Sequence, residues 1–329
     1  MSLSAVRARL TALLMALALL LGWSAAARAQ GCEFSMTDVD FGVVDVLGPA
    51  STDVSGLLTI DCSYLLGIGL LGSISGNISI GSGEAGADSS SRYMNSLTTA
   101  STLSYQLYKD ASRTSIVGST YGSYGGTPFA LSTFSAVLLG TGTTTVPVYG
   151  RVLGNQTSVV PGSYASLFDR DIIDVRVDYR TCNLLLFCVS RTATFSFEVR
   201  ATVLPECVVT ANDLNFGSVS LLTSNIDAQS SLDVRCTAGT SFDINLDNGL
   251  YGSGPTSRIM RNPGGEGVSY GLYRDAARAL PWGNAANGMP QPGVGSGTAA
   301  SFDVYGRVPP QATPSPGVYS DTIVVTVTY

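Results

Sequence analysis

The sequence predicts an all-β protein made of two immunoglobulin-like β-sandwich domains in tandem, the second short of its last strand. Three observations carry that expectation. Apolar and polar residues alternate with period two, one set of sequence blocks occurs twice in the same order, and short Gly-, Ser- and Pro-containing turns separate the segments.

The first 29 residues stand apart. Arg7 and Arg9 precede an apolar run from Leu10 to Leu21, and Ala27-Arg28-Ala29 follows with small residues at alternate positions. This is the order of a secretory signal peptide, and the run is too short to span a bilayer comfortably. Residues 1–29 are therefore expected to be cleaved before Gln30, leaving an exported protein. Cleavage removes three arginines and no acid, moving the formal charge from −6 to −9. An acidic protein suits neither nucleic acid nor an anionic membrane surface. Only 13% of residues are charged, so polarity comes mainly from Gly, Ser and Thr.

The repeat begins with Cys32-Glu-Phe-Ser-Met-Thr-Asp-Val-Asp-Phe-Gly42, which answers Cys207-Val-Val-Thr-Ala-Asn-Asp-Leu-Asn-Phe-Gly217. Cys62 then matches Cys236, and Ser104-Tyr-Gln-Leu-Tyr-Lys-Asp-Ala111 matches Ser269-Tyr-Gly-Leu-Tyr-Arg-Asp-Ala276. Val148-Tyr-Gly-Arg-Val152 matches Val304-Tyr-Gly-Arg-Val308, and Pro161-Gly162 with Tyr164 matches Pro316-Gly317 with Tyr319. The offset shrinks from 175 to 155, so the first domain carries the longer loops. Six cysteines in an exported chain read as three disulfides, for which 15 pairings exist. The repeat suggests Cys32–Cys62 and Cys207–Cys236 as equivalent bridges, leaving Cys182–Cys188 as a local one.

Strands follow from the alternation. Asp171 to Tyr179 places Ile173, Val175, Val177 and Tyr179 on one face, and Thr192 to Val203 does the same with Phe195, Phe197, Val199 and Ala201. Ile323, Val325, Val327 and Tyr329 repeat the first of these patterns, but no counterpart of 192–203 follows Tyr329. The second domain is thus expected to leave an edge and an apolar groove open, which a strand from another chain would fill. The expected divisions are a signal peptide (1–29), a self-complete domain (30–203), a linker (204–206) and an open domain (207–329).

Taken together, the repeated blocks and the Val-Thr-Val-Thr-Tyr ending resemble spore coat protein U domains, the subunits of archaic chaperone–usher pili. The resemblance covers nearly all of Cys32 to Tyr329. It implies that the second domain is an incomplete pilin whose acceptor groove includes Phe216, Ile323, Val325, Val327 and Tyr329. It also implies three protein partners: a periplasmic chaperone, an outer-membrane usher and an adjacent subunit donating its N-terminal strand. Only Gln30 and Gly31 would precede Cys32 in the mature chain, so the subunit is expected to accept a strand and give none, as a tip adhesin does.

Catalysis finds little support. The chain has no histidine, which removes Ser-His-Asp triads, Cys-His pairs and His-ligated metals. Paired cysteines would be unavailable as nucleophiles or thiolate ligands. Gly67-Ile-Gly69-Leu-Leu-Gly72 spells a dinucleotide fingerprint without the βαβ context that gives it meaning. No enzyme activity, cofactor or metal is expected.

What the repeat leaves unexplained is a set of apolar insertions confined to the first domain. One contains Leu65, Leu66, Ile68, Leu70 and Leu71; another contains Phe134, Val137, Leu138 and Leu139; the third is Cys182-Asn-Leu184-Leu185-Leu186-Phe187-Cys188. Their counterparts in the second domain are shorter or polar. Read as exposed loops they would bind a hydrophobic surface or an unidentified receptor; read as packing they would belong to the core. A lectin-like adhesin holding a glycan with Tyr121 and Tyr124, and a structural coat or capping subunit, are the alternatives.

Overall fold

A computed structural model describes residues 31–63, 73–88, 90–121, 124–131, 141–169, 171–182, 188–287 and 289–329. The first set of strands comprises β1 (Gly31–Met36), β2 (Val39–Val43), β3 (Thr52–Ser63), β4 (Ser73–Ile80), β5 (Arg92–Ser96), β6 (Thr102–Tyr108), β7 (Phe129–Ala130), β8 (Thr141–Val152), β9 (Gly162–Phe168), β10 (Val175–Cys182), β11 (Cys188–Ala193) and β12 (Phe197–Val203). They form an eight-stranded sheet, β1-β3-β8-β6-β5-β9-β12-β2, and a four-stranded sheet, β11-β10-β4-β7. Inward residues of both sheets, among them Leu58, Ile78, Tyr105, Val177 and Val199, make one continuous core.

Two expected strands are each broken where the chain crosses between sheets. Asp171–Asp174 is a single helical turn, α1, so the strand begins at Val175 and Ile173 is exposed rather than inward. The stretch 192–203 divides at 194–196, with β11 in the small sheet and β12 in the large one. The physical reason is the same in both cases: period two cannot be maintained while a chain steps from one layer to the other. Despite the breaks, β9–β10 and β11–β12 form one long antiparallel hairpin. Its register runs from Cys182 opposite Cys188, through Val177 opposite Ala193 and Phe168 opposite Phe197, to Gly162 opposite Val203.

The second set comprises β13 (Cys207–Ala211), β14 (Ile226–Cys236), β15 (Ser241–Leu246), β16 (Arg258–Arg261), β17 (Gly267–Tyr273), β18 (Gln291–Val294), β19 (Ala300–Val308) and β20 (Val325–Thr328). Here the sheets are β13-β14-β19-β17-β16 and β18-β15-β20. Their core is separate and smaller, and it centres on Trp282, whose indole N–H donates to Ile244 O at 3.0 Å.

Each of the three disulfides joins directly opposed residues of an antiparallel pair, with Cα–Cα distances of 4.0–4.1 Å. The bridges are Cys32–Cys62, Cys182–Cys188 and Cys207–Cys236.

The repeated blocks build the same joints in both domains. In Tyr-Gly-Arg, Tyr149 and Tyr305 lie against the guanidinium groups of Arg113 and Arg278. Arg151 and Arg307 each grip an aspartate with two hydrogen bonds, to Asp53 and Asp227. Those contacts hold both carboxyls below the usual aspartate range. The intervening glycine leaves room for the Phe-Gly phenylalanine: a Cβ on Gly150 would lie 2.8 Å from Phe41 Cζ, and one on Gly306 2.8 Å from Phe216 Cζ. Tyr164 and Tyr319 each donate to a carbonyl four residues upstream, Val160 and Ser315, at 2.6 and 2.8 Å. These are tyrosine corners. Buried Arg92 and Arg258, at the starts of β5 and β16, donate to main-chain carbonyls of neighbouring segments, Ile80, Gly81 and Val117 in one domain and Asp247 and Trp282 in the other.

The glycine contact separates the two domains. Phe41 is buried, whereas Phe216 is only half-buried and has room to yield. Gly150→Ala is expected to destabilise its domain by about 1–3 kcal/mol through overpacking, and Gly306→Ala to cost less. Unfolding of the full chain followed by tyrosine and tryptophan signals measures both; equal costs would mean that Phe216 is as confined as Phe41.

Candidate functional sites

The first site is defined by what β12 does and by the absence of an equivalent. In the first domain β12 lies between β9, to which it is antiparallel, and β2, to which it is parallel. Its Phe197, Val199, Ala201 and Val203 point inward and are buried. Phe197 stacks on Phe168 with ring centroids 4.4 Å apart. In the second domain the counterparts of residues 38–42, which open β2, and of β9 are 213–217 and 317–323. Neither is a strand, and among the described residues no strand lies between them.

Burial records the difference position by position. Val44 is 3% exposed and its counterpart Val219 47%; Val46 is 2% and Leu221 62%; Tyr179 is 6% and Tyr329 59%. Phe216, Ile323, Val325 and Val327 pack against the second core but remain partly open, whereas Phe41, Phe168, Val175 and Val177 are sealed. Of the groove residues expected from sequence, the structure brings these four to the same core; Tyr329 lies beyond the end of β20. Sequence reasoning missed Leu214 and Tyr319, which line the same core half-buried. The signal was present, since both stand in repeated blocks whose first-domain members, Val39 and Tyr164, are fully buried.

The second site is the end of the first domain from which the apolar insertions spring. Residues 64–72, 132–140 and 183–187 lie outside the described residues, and with them Leu65, Leu66, Ile68, Leu70, Leu71, Phe134, Val137, Leu138, Leu139, Leu184, Leu185, Leu186 and Phe187. Their described neighbours are grouped. Ser63 pairs with both Gly31 and Thr141 in the large sheet, while Cys182 pairs with both Ser73 and Cys188 in the small one. β7 runs antiparallel to β4, so the chain leaving Leu131 heads toward Ser73. A hydrogen bond from Cys32 N to Tyr179 Oη, 3.3 Å, and the Phe34–Tyr179 ring contact tie these two strand ends together across the core. Val203, where the chain leaves for the second domain, is at the opposite end of the sandwich, paired with Gly162.

The aromatic pair suggested for a glycan is not a pair. Tyr124 is buried, accepting from Gln106 Nε2 at 2.6 Å and from Arg92 at 3.3 Å, so it belongs to the core. Tyr121 donates to Asp178 at 2.7 Å and lies under the Arg176 guanidinium. Sequence proximity misled here because a loop residue three positions on turns inward to satisfy a buried arginine.

Comparison with known proteins gives the same repeat independently. The model of the Spore Coat Protein U domain matches residues 19–169 and again 193–326. The chain belongs to the spore coat protein U domain family. It is 34% identical over 154 residues to Protein U of Myxococcus xanthus, a match covering 42% of this chain and 86% of that protein. In fold it resembles a chain of the chaperone–tip adhesin subunit pre-assembly complex from the archaic chaperone–usher Csu pili of Acinetobacter baumannii. That likeness has a TM-score of 0.52 at 18% identity and covers 91% of this chain and all of the other. As a family member with two domain copies, the chain places β12 between β9 and β2 in the first copy and, among the described residues, no strand at the corresponding place in the second.

The Cys182–Cys188 bridge closes the hairpin at the insertion end, with a sequence separation of 6 against 30 for Cys32–Cys62. In the chain-entropy account the short ring contributes about 2 kcal/mol and the long one about 3.5. Replacing Cys182 and Cys188 with serine should therefore leave a folded first domain with a modest loss in unfolding free energy. The Cys32/Cys62 double serine variant should lose more; the reverse order would show that the hairpin closure, not the edge of the large sheet, holds the sandwich.

Proposed function

We propose that the protein is the tip adhesin subunit of an archaic chaperone–usher pilus. Cleaved after residue 29 and passed through the periplasm to the cell surface, it has an adhesive domain at 30–203, a linker at 204–206 and an acceptor pilin domain at 207–329. The observation that carries this reading is the contrast between the groove filled by β12 and the open groove between 213–217 and 317–323. An open groove leaves main-chain groups unpaired and apolar side chains wet, and an added strand removes both costs together. Such a strand would come first from a periplasmic chaperone, then at the usher from the N-terminal segment of the next subunit. The fold likeness to a chaperone–tip adhesin complex supports the assignment.

The other end of the molecule supports an adhesive role. Three apolar insertions arise from strand ends grouped at the end of the first domain remote from the linker. A fibre joined through the second domain would hold that end outermost. Apolar side chains there gain roughly 25 cal/mol per Å² on contact with a hydrophobic surface, several kcal/mol for four or five of them. The Cys182–Cys188 bridge lowers the ordering cost by restricting its loop beforehand.

The test is Leu185→Asp with Leu186→Asp in the intact pilus system. Fibres should still assemble, and attachment to a hydrophobic surface should fall at least about tenfold, the worth of 1.4 kcal/mol. Attachment unchanged with fibres present would contradict the adhesive loop, and lost folding or export would place those residues in the core.

A further inference from the structure

The closed domain contains a worked example of the strand that the open domain lacks. This extends the acceptor reading above and rests on it. In the first domain the main-chain N–H of Glu198 donates to Asp38 Oδ1 at 2.9 Å, just outside β2. Three residues later Ala201 stands directly opposite Tyr164. Both receiving positions recur in the second domain. Asp213 occupies the place of Asp38, and Tyr319 that of Tyr164. Asp213 is exposed and makes no hydrogen bond or ion pair among the described residues.

Tyr319 is half-buried but anchored at its hydroxyl. Its hydroxyl is held by Ser315 O at 2.8 Å and by Asn262 Nδ2 at 3.1 Å, as Tyr164 is held by Val160 O and Ser101 Oγ. Where the ring is pinned, the strand passing over it must supply a small side chain. One feature is not shared. Arg200 pairs with Asp40 at 3.0 Å and reaches Asp38 at 3.6 Å, but the second domain has Asn215 in the place of Asp40, and its side-chain oxygen is committed to Gly217 N at 2.8 Å. A cation at that position of the incoming strand would keep only the longer contact, to Asp213.

We propose that Asp213 is the polar anchor that sets the register of the strand entering the second groove, and that this strand carries a residue no larger than alanine opposite Tyr319. The strand runs antiparallel to 317–323 and parallel to 213–217, with large apolar residues at the positions of Phe197, Val199 and Val203. A slip by one residue would turn its apolar face outward. A slip by two would keep the faces but bring a bulky residue over Tyr319. Asp213 opposes that second error by accepting a main-chain N–H, an interaction independent of the partner's side chain and strengthened by the carboxylate charge.

The test uses the full chain held by its chaperone and offered a synthetic peptide with the sequence of residues 196–203 in which Arg200 is replaced by glutamine, so that the main-chain contact to Asp213 is read without a side-chain ion pair. Peptide capture is read by native mass spectrometry. The Asp213→Ala chain should capture about tenfold less peptide, the worth of a hydrogen bond to a charged group. Asp213→Asn, which keeps an acceptor oxygen, should recover most of the loss. A peptide with leucine at the Ala201 position should be captured at least about tenfold less by the unaltered chain, as overpacking requires. Capture indifferent to Asp213 and to that leucine would overturn this proposal while leaving the acceptor reading intact. No capture of any peptide by the unaltered chain would overturn both.

Discussion

Seven residues, Phe197–Val203, close a gap that would otherwise expose two strand edges and the apolar floor between them. The closure is simultaneous. Main-chain pairing to β9 and β2 satisfies groups that would cost free energy if buried unpaired, and four inward side chains seal a core that reaches from Phe41 to Tyr179. Neither gain is available alone, because the same strand delivers both. Without it, flanking segments lose their reason to be strands, and in the second domain 213–217 and 317–323 are not strands. Among the described residues the second domain has no strand in the place of β12, and its Val219, Leu221 and Tyr329 are exposed where Val44, Val46 and Tyr179 of the first are buried.

That constraint also divides the sequence into parts with different duties. The blocks shared by the two domains are joints: an arginine pair on one aspartate, a glycine under a phenylalanine ring, a tyrosine hydroxyl on an upstream carbonyl. Each recurs with the same partners, and each is accounted for by packing. What differs between the copies is the material available for function. The first copy has a long hairpin that completes it and apolar insertions at one end; the second has a groove.

Much of this was legible in the residues. Period-two alternation marked 175–179, 197–203 and 325–328 correctly because each turns one face to a core, sealed in the first two and half-buried in the third. The repeat paired the cysteines because equivalent strands place them directly opposite each other. Legibility failed at layer crossings. Nothing in the alternation of 171–179 distinguishes a strand from a helical turn followed by a strand, since Ile173 has the right polarity for either. It failed again at Tyr124, whose inward turn depends on Arg92, 32 residues earlier, needing acceptors. Leu214 and Tyr319 were visible as repeated residues, but that they are half-buried against one core, where Val39 and Tyr164 are sealed, appears only in the structure.

Hydrogen exchange of main-chain amides measures the central claim most directly, because it reports strand pairing residue by residue. In the chaperone-free chain, amides of 39–43 and 162–168 should be strongly protected while those of 213–217 and 317–323 exchange quickly, except Ser320, whose amide is bonded to Arg261 O. Adding a complementing strand should protect the second pair of segments and leave the first unchanged. Equal protection in both domains without any added strand would contradict the account.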